Sequence, residues 1–97
     1  MPLFLSFVIA RLRILPTDAG IKSDDIVESI KNKLPDGVSI KKQNEEPIAF
    51  GLIASILDIQ LEEKDGLMDD LEEAIRDSSI VSQVDVIGIS RSSTNIK

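Results

Sequence analysis

The groups in this chain best suited to chemistry are carboxylates and arginines, because its 97 residues include no histidine and no cysteine. Imidazole acid/base schemes, thiolate nucleophiles, disulfides and the usual zinc sites are thereby excluded. Arg11 and Arg13 are spaced to share one face of an extended strand. Such a pair could grip a phosphate or a carboxylate through its planar forks. The competing account is structural. Asp58, Gln60 and Asp85 suit the same surface, where cross-strand ion pairs contribute roughly 0.2–1 kcal/mol each.

Glu62, Glu63, Asp65, Asp69 and Asp70 gather oxygen atoms around Gly66, but without the D-x-[DN]-x-[DN]-G spacing that wraps carboxylates around calcium. They fit a solvated helix start, where acids complement the positive end of the dipole. No metal site is expected. Glu45 and Glu46 are adjacent, so in a strand they point to opposite faces and cannot form the coupled pair that acid/base catalysis needs. The residues therefore nominate no catalytic group and call for no cofactor.

One stretch resists this bookkeeping. Pro47-Ile48-Ala49-Phe50-Gly51 places one of three phenylalanines, in a chain without tyrosine or tryptophan, directly before a glycine. Proline cannot donate to a ladder and marks the break between two strands; the glycine allows a bulge or a close backbone approach. Two readings follow. Phe50 folds back to cover a sheet edge, or it projects as a rigid anchor into a partner's pocket.

The elements that must position these residues follow from periodicity. Phe4 to Leu15 reads as a strand with Val8, Ala10, Leu12 and Ile14 on a wholly apolar face, and Pro16 ends it. The apolar start MPLFLSFVIA lacks a positive n-region and is too short to span a bilayer, so it reads as part of that strand. Ser23 is placed to cap a helix whose stripe is Ile26, Val27, Ile30 and Leu34, stopped by Pro35-Asp36-Gly37. Val38 to Glu45 suits a polar edge strand with Val38 and Ile40 inward, and Leu52 to Leu61 a central one. A second helix follows Asp65-Gly66 with Leu67, Leu71, Ala74 and Ile75 on one face. Val81 to Arg91 is the last strand.

Strand, helix, strand, strand, helix, strand predicts an α/β (α+β) fold of the ferredoxin-like βαββαβ kind, with two helices on one face of a four-stranded antiparallel sheet. A single domain over residues 1–92 and a flexible polar tail at 93–97 are expected. The formal net charge of −6 argues against direct nucleic-acid binding, which draws its affinity from lysines and arginines. No membrane association is expected either, and the cytoplasm is the default location.

Four segments taken in order carry a resemblance: ARLRILPTD at 10–18, EEPIAFGL at 45–52, DDLEEAI at 69–75 and VSQVDVIGISR at 81–91. With them the chain resembles the archaeal type of elongation factor 1-beta, the guanine nucleotide exchange factor of elongation factor 1-alpha. The resemblance implies a non-enzymatic protein that binds the G domain of the elongation factor 1-alpha GTPase, disturbs its magnesium and phosphate site, and holds no cofactor of its own. It assigns the partner contact to the loop Pro47, Ile48, Ala49, Phe50 and Gly51. It also suggests a role near the partner's magnesium for Arg91, which stands where eukaryotic relatives have a lysine. The alternative is a stand-alone ferredoxin-like module binding a small ligand or RNA on its open sheet face, with Arg11 and Arg13 important and Phe50 not.

Overall fold

In the computed structural model, which describes the backbone of residues 4–95 and the side chains of residues 6–91, two central strands carry most of the sheet's apolar face. Strand β1 (Phe4–Pro16) puts Ala10, Leu12 and Ile14 wholly out of solvent. Strand β3 (Ile53–Glu62) runs antiparallel beside it and aligns Leu57 with Leu12 and Ile59 with Ala10, so their side chains share that face. The edges are β2 (Val38–Pro47), beside β3, and β4 (Val81–Asn95), beside β1, giving the order β2-β3-β1-β4 with every pairing antiparallel.

Helices α1 (Ser23–Ile30) and α2 (Leu67–Arg76) cover the apolar face. Ile26 and Ile30 from α1 and Leu67, Leu71 and Ile75 from α2 join the strand residues in one buried cluster. The element order and the single covered face make this the expected ferredoxin-like arrangement. Among the described residues, no helix is long and apolar enough to cross a membrane.

Several local expectations are corrected. The residue capping α1 is Lys22, not Ser23, which is already helical; Asp25 then accepts a hydrogen bond from the Lys22 amide at 2.9 Å. The helix also stops at Ile30, where a turn closed by the Lys33 amide on the Ile30 carbonyl takes over, and Leu34 packs on the core from outside it. Strand β4 continues through Asn95, so residues 93–95, read as tail, pair with the start of β1; Ile96 and Lys97 lie outside the described residues. The ladder with β1 pairs the backbone there.

Two register shifts decide which side chains face where. In β2, Ile40 pairs with Ile59 but Lys42 with Asp58, which inserts one extra residue and reverses the alternation. Gln43 and Glu45 thereby join Val38 and Ile40 on the helix side. In β4, Val86 pairs with Leu12 but Gly88 with Arg11, so Ile89 and Arg91 fall on the helix side as well.

Candidate functional site

The β2–β3 hairpin closes through a short loop. Pro47 and Ile53 are the last pair; the Ile48 amide then donates to the Leu52 carbonyl at 2.9 Å, and the Leu52 amide to the Ala49 carbonyl at 3.3 Å. Between them Ala49–Leu52 forms a tight four-residue turn closed by the second of these bonds. Gly51 has φ +74° and Phe50 has φ 64°, making Phe50 the one non-glycine residue with positive φ among those described. For a residue with a Cβ this left-handed conformation costs about 1–2 kcal/mol. Phe50 is nevertheless 95% exposed. It does not fold back over the sheet edge, so the covered-hairpin reading fails: the chain sustains a strained backbone and an exposed ring with no return in core burial.

The hairpin is held against the helix layer by the acid that precedes its proline. Glu45 accepts a hydrogen bond from the Ser23 amide at 3.0 Å, supplying a carboxylate to the positive end of α1. Gln43 donates to Ser23 Oγ at 2.8 Å and to Asp24 at 2.6 Å. Across the ladder from Glu45, Ser55 is fully buried with no hydrogen-bond partner for its hydroxyl among the described residues. Glu46 points the other way, as adjacency in a strand requires, and accepts from Arg13 Nε at 2.9 Å.

Sequence reasoning missed the Glu45 contact because it depends on the β2 bulge. Without the extra residue Glu45 would face away from the helices. The run Ile40-Lys41-Lys42 contains no glycine or proline to announce the shift.

Arg91 does not join the hairpin. It pairs with Val8, which pairs with Leu61, whereas the hairpin closes at Ile53. Ile53 and Leu61 are eight residues apart, about 26 Å along β3 at the ~3.3 Å rise of a strand. Arg91 therefore lies at the opposite end of the sheet from Pro47–Gly51. There it makes an ion pair with Glu63 at 3.1 Å.

The open sheet face offers less than its arginines suggest. Arg11 holds Asp58 by two bonds, Nε to Oδ1 at 2.7 Å and Nη2 to Oδ2 at 3.0 Å, directly across the β1–β3 ladder. These bonds hold the Asp58 carboxyl below its ordinary value; burial opposes them, and the charges of Arg11 and Lys42 add to them. Arg13 is taken by Glu46 and not by Asp85, which accepts from Gln83. Both arginines of this face are matched by acids, as a structural role predicts. Among the described residues no group of acids is placed to hold a metal ion.

The Asp58 pair has a pH signature. A carboxyl with a depressed pKa in the folded state contributes stability above the unfolded value of about 3.9, and that contribution is lost as pH falls through the folded value. Asp58→Asn is therefore expected to be destabilising at neutral pH, with a deficit that shrinks as pH is lowered below about 4. Urea midpoints of wild type and variant across that range check it; a deficit independent of pH would contradict the assignment.

Comparison with known proteins agrees with this architecture. Residues 9–91 match the EF-1 guanine nucleotide exchange domain. The chain is 39% identical over 85 residues to elongation factor 1-beta of Saccharolobus islandicus strain L.S.2.15, covering 87% of this chain and 93% of that protein. Elongation factor 1-beta of Saccharolobus solfataricus is 38% identical over the same length and coverage. That of Thermofilum pendens is 39% identical over 88 residues, 90% of this chain and 97% of its own. A sheet with both helices on one face, an exposed hairpin phenylalanine and this match over nearly the whole length lead to one assignment: the chain belongs to the EF-1 guanine nucleotide exchange domain family.

Proposed function

We propose that this protein promotes exchange of GDP for GTP on elongation factor 1-alpha, acting by binding and not by covalent chemistry. The observation that carries the reading is Phe50, 95% exposed on a left-handed backbone at a hairpin tip. An aromatic presented in this way is a ready anchor for a pocket, because the turn sets where its backbone stands before the partner arrives. The family assignment supplies the partner class, and the ion-paired Arg11 and Arg13 take away the main support for a ligand on the open face.

The mechanism is a matter of linked equilibria. A factor that binds the nucleotide-free GTPase more tightly than the GDP-bound form must weaken GDP by the same factor. The loop Pro47–Gly51 supplies the grip, the partner's magnesium and phosphate site is disturbed, GDP leaves, and GTP in excess completes the exchange. No cofactor of the protein's own takes part, and nucleic acid is not contacted. The setting is the cytoplasm, where translation consumes the GTP-bound partner. Calorimetric titration tests the linkage: nucleotide-free elongation factor 1-alpha is expected to bind at least tenfold more tightly than its GDP complex, within the usual range of coupling. Equal affinities would rule out the mechanism.

In this reading Arg91 acts at the far end of the sheet, approaching the partner's magnesium region after releasing Glu63. Because an exposed pair such as Arg91–Glu63 is worth about 0–1 kcal/mol, that release is easy. Arg91→Ala is expected to slow stimulated release about three- to fivefold, a loss of the size of one rim charge. The loss should be confined to assays containing magnesium. An equal loss with and without magnesium would contradict the role.

A further inference from the structure

The hairpin does not stand alone at its end of the sheet. Beside it runs the turn between β1 and α1: the Ala19 side chain lies where it would be 3.6 Å from a Cβ placed on Gly51. Thr17, Asp18, Ala19 and Gly20 are all exposed. The turn is anchored at both ends. The Thr17 amide donates to the Ile80 carbonyl at 3.0 Å, and the Ser23 amide donates to Glu45 of the hairpin strand at 3.0 Å. The two loops are therefore parts of one fixed surface, linked through α1's first residue.

The acids around this surface are mostly committed. Glu46 is matched by Arg13, Glu45 by the α1 amide, Asp24 by Gln43, and Asp25 by the Lys22 amide. Among the acids Asp18 is the exception: its carboxylate has no hydrogen bond or ion pair among the described residues. An unmatched carboxylate thus stands on the turn that flanks the hairpin bearing the exposed ring.

We infer that the partner-binding surface is a two-loop platform, Thr17–Gly20 together with Ile48–Gly51, that fits an apolar pocket with a cationic rim. Phe50 enters the pocket and Asp18 faces the rim. This rests on the reading of Phe50 as the partner contact and extends it to a second loop and to the chemistry of the partner's surface. A rim charge acts chiefly on association, whereas a buried anchor acts on dissociation. The two loops should therefore leave different kinetic marks.

The test measures association and dissociation rates with nucleotide-free elongation factor 1-alpha by stopped flow at low and high salt. It compares wild type, Asp18→Lys, Phe50→Ala and Glu73→Lys. Glu73 is exposed on α2 and has no ion pair among the described residues, so it provides the same charge change away from the platform. Asp18→Lys is expected to slow association about tenfold at low salt, with the deficit fading at high salt and dissociation nearly unchanged. Glu73→Lys should leave association within about twofold of wild type, as a charge remote from the contact does. If Asp18→Lys matches Glu73→Lys while Phe50→Ala still speeds dissociation, the platform is wrong and the hairpin contact survives. If Phe50→Ala leaves dissociation unchanged, the hairpin contact falls and takes the platform with it. Thermal melts of each variant establish that the fold is retained.

Discussion

Phe50→Ala is expected to weaken binding to nucleotide-free elongation factor 1-alpha by about 30-fold or more, the ~2 kcal/mol typical of an aromatic hot spot, and to slow stimulated GDP release correspondingly. Its stability should hardly change. The residue is 95% exposed, so truncation opens no cavity, and the left-handed backbone strain is present in alanine as in phenylalanine. Phe50→Gly sharpens the point. Glycine adopts this conformation freely, so the folded state loses strain of about 1–2 kcal/mol, offset in part by the roughly 0.4–1 kcal/mol of extra freedom glycine gives the unfolded chain. Phe50→Gly should therefore be at least as stable as Phe50→Ala and equally poor in exchange. Melts and release kinetics on the same preparations check both statements. A glycine variant with wild-type exchange would mean that the turn, and not the ring, is what the partner requires.

Glu45→Ala should be the most destabilising of the polar substitutions near the hairpin, by about 1–2 kcal/mol. It removes a carboxylate at 3.0 Å from the first amide of α1, leaving a donor that only water can satisfy. Glu46→Ala is the matched control, since its partner Arg13 is a surface cation and such pairs are worth about 0–1 kcal/mol. Glu45→Gln should fall between, keeping an acceptor and losing the charge. Urea midpoints rank the three. Hydrogen exchange adds a local readout: the Ile48 and Leu52 amides, which close the loop, should lose protection in Glu45→Ala beyond the global change. Equal stability of the Glu45 and Glu46 variants would show that the contact with α1 does not hold the hairpin.

These two residues also mark the limit of what the sequence discloses. Strand and helix identities are legible because they rest on local alternation: Ala10, Leu12 and Ile14 announce one buried face, and Leu67, Leu71 and Ile75 a helical stripe. The hairpin position is legible from Pro47 and Gly51. The direction of Glu45 is not, because a bulge in a polar strand reverses faces and is set by pairing with β3. Gly88 beside the β4 shift is a local sign of the kind Ile40-Lys41-Lys42 lacks. The cap of α1 lies one residue before Ser23 because the Asp25 bond to the Lys22 amide and the Glu45 bond to the Ser23 amide together fix which residue comes first. The tail assignment erred for a different reason: polar composition says nothing about backbone pairing, which β1 supplies.

Arg91 is instructive in another way. Its separation from Phe50 needs no side-chain detail, only strand directions: β3 begins where β1 ends, and β4 ends where β1 begins. A partner that meets both residues must span about 26 Å, the length of β3 between Ile53 and Leu61 at ~3.3 Å per residue. Sites that far apart without shared partners should act additively, so the Phe50 and Arg91 defects are expected to multiply in rate.

The central claim, exchange driven by binding through the Phe50 hairpin, is tested most directly by stopped-flow release of fluorescent GDP from elongation factor 1-alpha with excess unlabelled nucleotide. Wild-type protein should accelerate release in a saturable, concentration-dependent way, and Phe50→Ala should lose most of that acceleration while melting as wild type does. Release that is unaffected by the wild-type protein, or accelerated equally by wild type and Phe50→Ala, would contradict the account.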